Sequence, residues 1–81
     1  MAVKIFGVTA NSHADRAKIK SGESLLTING NIIEDVLDYR FHQVNRDLTL
    51  EIQDGNGDVR TVKIYKSEYE EIGLEFETYL M

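Results

Sequence analysis

Cysteine is absent from this chain, and with it go disulfides, thiolate nucleophiles, iron–sulfur ligation and cysteine–zinc sites. That absence fits a reducing compartment, and a cytoplasmic location is expected. Proline is missing too. Basic residues are few, nine Lys and Arg against fourteen Asp and Glu, for a net charge of −5. A nucleic-acid surface needs clustered Lys and Arg, so nucleic acid is an unexpected partner. The densest basic group, Arg16-Ala17-Lys18-Ile19-Lys20, reads as the solvated side of one short helix. No apolar run approaches a membrane span, and Met1-Ala2-Val3-Lys4 lacks the apolar stretch of a signal peptide. No membrane contact is therefore expected.

What is present is a globular composition, 42% apolar and 28% charged, in 81 residues. That length makes residues 1–81 a single domain. A chain of this size buries only roughly 60–65% of its unfolded surface, so its stability is modest.

Three glycines punctuate the apolar runs. Ser21-Gly22-Glu23 reads as a tight turn, residues 25–28 as a buried strand, and Asn29-Gly30 as another turn. Gly73 sits inside an alternating run, Glu71-Ile72-Gly73-Leu74-Glu75-Phe76. A glycine there lets another backbone or an anionic group approach closely. Around these, Val3–Val8 alternates as a strand. Ser12 caps a helix over residues 13–19, with Asp15 as the acidic half of a capping box and Ala14, Ala17 and Ile19 facing inward. Glu34 and Asp35 open a second helix over residues 35–44. Its apolar stripe is expected to hold Val36, Leu37, Tyr39 or Arg40, Phe41 and Val44. Residues 48–52 alternate as a strand, Asp54-Gly55-Asn56-Gly57 is a hairpin turn, and Val59–Tyr65 is its partner. A polar loop over 66–71 leads to a last strand from Leu74 to about Tyr79. The predicted order is β-α-β-β-α-β-β-β.

No catalytic constellation is visible. His13 lies in a polar turn and His42 on the second helix near Asp38, both in structural or solvated roles. Ser12, His13 and Asp15 are too close in sequence to form a triad, which is assembled across a fold. Asp54-Gly55-Asn56-Gly57-Asp58 begins like a calcium loop. Val59 and Tyr65 then replace the glycine and the bidentate glutamate such a loop needs. No metal or cofactor site is expected, and an independent enzyme is the least supported class.

The order of elements, with Asn11-Ser12-His13-Ala14, Ala17-Lys18-Ile19, Ser21-Gly22-Glu23 and Ile28-Asn29-Gly30, resembles a bacterial, circularly permuted PDZ domain. In that family the corresponding elements are Gly-Ser-Pro-Ala, Ala-Gly-Leu, a Gly-Asp turn and Ile-Asn-Gly. His13, Lys18 and Glu23 are the departures. The resemblance implies an α+β fold: a small, partly open β-barrel or sandwich of five or six short strands capped by two helices. Asp38-Tyr39-Arg40-Phe41, Leu48-Thr49-Leu50-Glu51-Ile52 and Ile72-Gly73-Leu74-Glu75-Phe76-Glu77 also resemble the PDZ-like segment that opens a family of radical-SAM-type iron–sulfur oxidoreductases. There a cysteine-bearing catalytic region follows, so the chain is expected to be a fragment ending just before it.

The resemblance further implies a peptide-binding groove. Ile72, Gly73 and Leu74 would turn backbone N–H groups toward a ligand carboxylate. The ligand would add as a strand beside Leu74, Glu75 and Phe76, with a pocket completed by Val36, Tyr39 and Arg40. The bland alternative is that Gly73 marks a bulge in an ordinary strand. Glu68, Glu70, Glu71 and Glu75 crowd this loop and disfavour a terminal carboxylate, which makes an internal or basic segment a competitor. Binding at ~1 µM or weaker suits a tethered module. The expected partner is thus an extended peptide or the body of the parent enzyme, with the domain itself monomeric. A structural domain with an occluded groove, docked only to its parent, is the other reading.

Overall fold

The alternating and capped segments become eight elements in the computed structural model, which describes residues 2–68 and 70–76. They are β1 (Val3–Val8), α1 (His13–Arg16), β2 (Ser24–Ile28), β3 (Asn31–Ile32), α2 (Val36–His42), β4 (Asp47–Gln53), β5 (Val59–Tyr65) and β6 (Leu74–Phe76). The order is the predicted one. The strands form one sheet in the order β5-β4-β2-β1-β6, with β3 paired to β2 and every pairing antiparallel. The fold class is α+β. The sheet is not closed among the described residues, because β5 and β6 stand at its opposite ends.

The β4–β5 hairpin follows from its period of two. Leu48, Leu50 and Ile52 are buried on β4, and Val62 and Ile64 on β5, so one face of the ladder joins the core. The connecting turn is organised by Asp54, whose carboxylate accepts the N–H groups of Asn56 and Asp58 at 2.8 and 3.0 Å. That carboxylate is committed within the turn. On β2, Leu25 and Ile28 join Ile5, Ile33 and Ile72 in the fully buried centre.

Both helices start as their sequences require. Ser12 Oγ accepts from the Asp15 N–H, and Asp35 Oδ1 from the Asp38 N–H. In return, Asp15 and Asp38 accept the N–H of the residue before each cap, Asn11 and Glu34. Helix α1 stops at Arg16, three residues short of the predicted end. The reason is Lys18, whose φ of 68° leaves the right-handed helical region. Ala14 and Ile19 are buried as expected.

The predicted stripe of α2 needs correction. Leu37 and Phe41 are 65% and 74% exposed, and of the expected stripe the helix buries Tyr39. Residues 37 and 41 share one i, i+4 row, while 36, 39, 40, 43 and 44 form another. Packing of the Tyr39 ring edge-on to Phe76, with centroids 4.9 Å apart, selects the second row. The expected end of the last strand near Tyr79 lies outside the described residues.

One ion pair ties the sheet to the connection after α1. Glu23 is 8% exposed and accepts both arms of Arg60 at 2.8 and 2.9 Å, together with the Lys20 N–H. The Arg60 hydrogen bond leads the causes holding the Glu23 carboxyl below its ordinary value of 4.5. A depressed folded-state value means the contribution is complete above the unfolded value and is lost as pH falls through the folded one. Glu23→Ala is therefore expected to cost about 1–3 kcal/mol at pH 7, since it strands a partly buried guanidinium. Urea unfolding of both proteins should show the gap narrowing below pH 4.5. An unchanged gap at pH 2.5 would remove Glu23 from the pH response.

Candidate functional site

Because α2 turns its 36, 39, 40, 43 and 44 row toward β6, a cavity of about 780 Å³ lies between them. That volume is ample for a ligand, within the usual range of small-ligand pockets. The helix contributes Val36, Tyr39 and Arg40, and the turn that ends it Gln43 and Val44. Across from it stand Leu74, Glu75, Phe76 and Glu71, with Phe6 from β1. Among the described residues β6 pairs only with β1, so its second edge has no strand partner.

Six of the eight residues proposed from the sequence meet here: Val36, Tyr39, Arg40, Leu74, Glu75 and Phe76. Ile72 does not line the cavity. It is fully buried in the core, and its carbonyl accepts the Ala14 N–H at 2.8 Å. Gly73 lies against α1 and the segment before it, with a φ of 99° and its carbonyl accepting the Thr9 N–H at 2.9 Å. A methyl group built there would run into Ser12 Cβ and Oγ. The close approach that this glycine permits is thus made by the domain's own α1 cap. Among the described residues, no acceptor takes the N–H groups of Ile72 or Gly73.

Phe6, Gln43 and Val44 enter the cavity without having been proposed for it. Phe6 owes its place to a bulge. Ile5 pairs with Phe76 and Gly7 with Glu75, so Phe6 is the extra residue of β1 and is left 61% exposed. Nothing in the alternation of Val3–Val8 signals that shift. Gln43 and Val44 follow from continuing the 36, 39 and 40 row by one turn.

Among the described residues, two polar atoms on this wall lack partners. Tyr39 Oη and Gln43 Oε1 are buried without a hydrogen bond, on side chains of residues only 3% and 4% exposed. Burial is the main reason the Tyr39 phenol titrates above its ordinary range, and the Glu71 charge adds to it. The Leu74 N–H acts the other way, but Tyr39 Oη lies outside hydrogen-bond geometry with it. An unmet buried hydroxyl costs about 1–3 kcal/mol. Tyr39→Phe is therefore expected to leave stability unchanged or raise it by up to about 1 kcal/mol, read from thermal or urea midpoints. A loss above about 1 kcal/mol would show that the hydroxyl has a partner after all.

The loop before β6 is tied to α1 by His13, whose Nε2 lies 3.2 Å from Glu70 Oε1. The same oxygen accepts the Ser67 N–H, the leading reason that Glu70 titrates below its ordinary value. Glu75 Oε2 accepts from Thr9 Oγ1 at 3.1 Å. Arg40 and Glu71 face the cavity without pairing with each other.

Iron–sulfur ligation does not fit these residues, since the sequence contains no cysteine. Among the described residues, no three His, Asp or Glu side chains are grouped to hold a metal, and no helix is long and apolar enough to cross a membrane. A scan against protein-family models finds no match, and a search of curated proteins finds none at significance.

Proposed function

We propose that this chain is a PDZ-like interaction domain that takes an extended peptide as an added strand between β6 and α2. One observation carries the reading: a strand edge unpaired among the described residues and a helix face border the same cavity. A peptide laid there would gain main-chain hydrogen bonds from the edge and an apolar contact with Leu74, Phe76 and Val36. Lys18 also supports the PDZ likeness, because it holds a positive φ where the family pattern has glycine. The N–H groups of Ile72 and Gly73, without an acceptor among the described residues, are consistent with a nest for a ligand oxygen. In this proposal the domain is the N-terminal accessory module of a larger iron–sulfur oxidoreductase whose cysteines lie outside this chain.

A second reading is favoured by the Gly73–Ser12 contact. The loop packs on the domain itself, as it would in a scaffold whose groove docks only to its own parent. Amide chemical-shift titration with mixed free C-terminal and blocked peptides separates the two. Saturable shifts confined to β6 and α2 are expected for a binding module. No shift at millimolar peptide sinks it in favour of the scaffold.

A further inference from the structure

We infer that the groove reads a basic side chain, arginine or lysine, carried within an extended peptide segment; this rests on the strand-addition reading above. Two buried atoms on residues of this wall are without a hydrogen-bond partner among the described residues. Gln43 Oε1 can only accept, and Tyr39 Oη can accept as well as donate. Tyr39 on α2 and Gln43 at its C-cap are four residues apart, and both line the cavity.

A terminal carboxylate offers no donor at neutral pH, so it leaves Gln43 Oε1 unmet. A guanidinium carries five N–H donors and an ammonium three. The charges on the lining favour the same choice: Glu71 and Glu75 against Arg40 alone. Glu75 already accepts from Thr9 but keeps its charge, and Glu71 has no hydrogen-bond donor among the described residues. The rings of Phe6, Tyr39 and Phe76 line the same space, where an aromatic wall suits a cation. Arg40 opposes the arrangement, yet it is exposed and can turn to solvent.

The test uses short peptides acetylated and amidated at their ends, random except for a central arginine, lysine, norleucine or glutamate. Binding is followed by amide chemical shifts and fluorescence polarisation. The arginine and lysine pools should bind about tenfold tighter than the norleucine pool, with the glutamate pool weakest. The preference should fall as salt is raised. Glu71→Gln, at an exposed position, should cut the ratio of arginine-pool to norleucine-pool affinity about threefold. Gln43→Met, checked for an unchanged thermal midpoint, should do the same. Equal binding of the arginine and norleucine pools overturns the basic preference while leaving strand addition standing. Tighter binding of peptides with a free C-terminus, whatever their central residue, overturns it as well. No saturable shift with any pool overturns the basic preference together with the peptide-binding reading.

Discussion

Gly73→Ala should destabilise the domain by about 2–5 kcal/mol, the largest effect expected of any single methyl group here. Two costs add. A φ of 99° is poorly tolerated by a residue with a Cβ, at about 1–2 kcal/mol. The new methyl also meets Ser12 Cβ and Oγ, and overpacking of this kind costs about 1–3 kcal/mol. Ser12 cannot simply move, because its Oγ caps α1 and the Ile72 carbonyl holds the Ala14 N–H beside it. A domain of this length has roughly 4–12 kcal/mol in total, so much of it would be lost. Urea denaturation is the direct measurement. The double variant Ser12→Gly with Gly73→Ala should recover the steric share and leave the backbone share, since glycine at an N-cap costs only a few tenths of a kcal/mol. A loss below about 1 kcal/mol for Gly73→Ala would mean that this loop is not packed as described.

Ile72→Ala should cost about 2–5 kcal/mol, a deletion from a fully buried site at the junction of the loop and the core. At about 4–8 °C per kcal/mol for a domain of this size, the thermal midpoint should fall by tens of degrees at the upper end. The residue lies behind the groove and does not line it. Any ligand that binds the surviving folded fraction should therefore keep its affinity within about threefold. A selective loss of affinity with an unchanged thermal midpoint would instead place Ile72 in the binding wall.

These two neighbours show how far the chain could be read in one dimension. The alternation around Gly73 marks an unusual backbone position, and the structure gives it a φ of 99°. What approaches it is Ser12, brought there only when β6 pairs with β1. The helix-side residues were legible where a single periodic row carries them, as with Val36, Tyr39 and Arg40. They were misread where two rows overlap: Leu37 and Phe41 have the right spacing but face solvent. A helix of seven residues presents either row equally well until a sheet chooses one. Phe6 was hidden for a related reason, since a bulge is a property of two paired strands.

Local chemistry alone determined the order of the elements, the caps at Ser12 and Asp35, the Asp54 turn and the inward face of the β4–β5 hairpin. Each depends on contacts within a few residues, where chain geometry leaves few choices. The tertiary structure decided which row of α2 meets the sheet, the burial of Ile72, the Glu23–Arg60 pair and the cavity with its two unpartnered atoms. Those features join residues tens of positions apart. Their geometry is set by the sheet order and strand register, which a pattern of period two or 3.6 cannot encode.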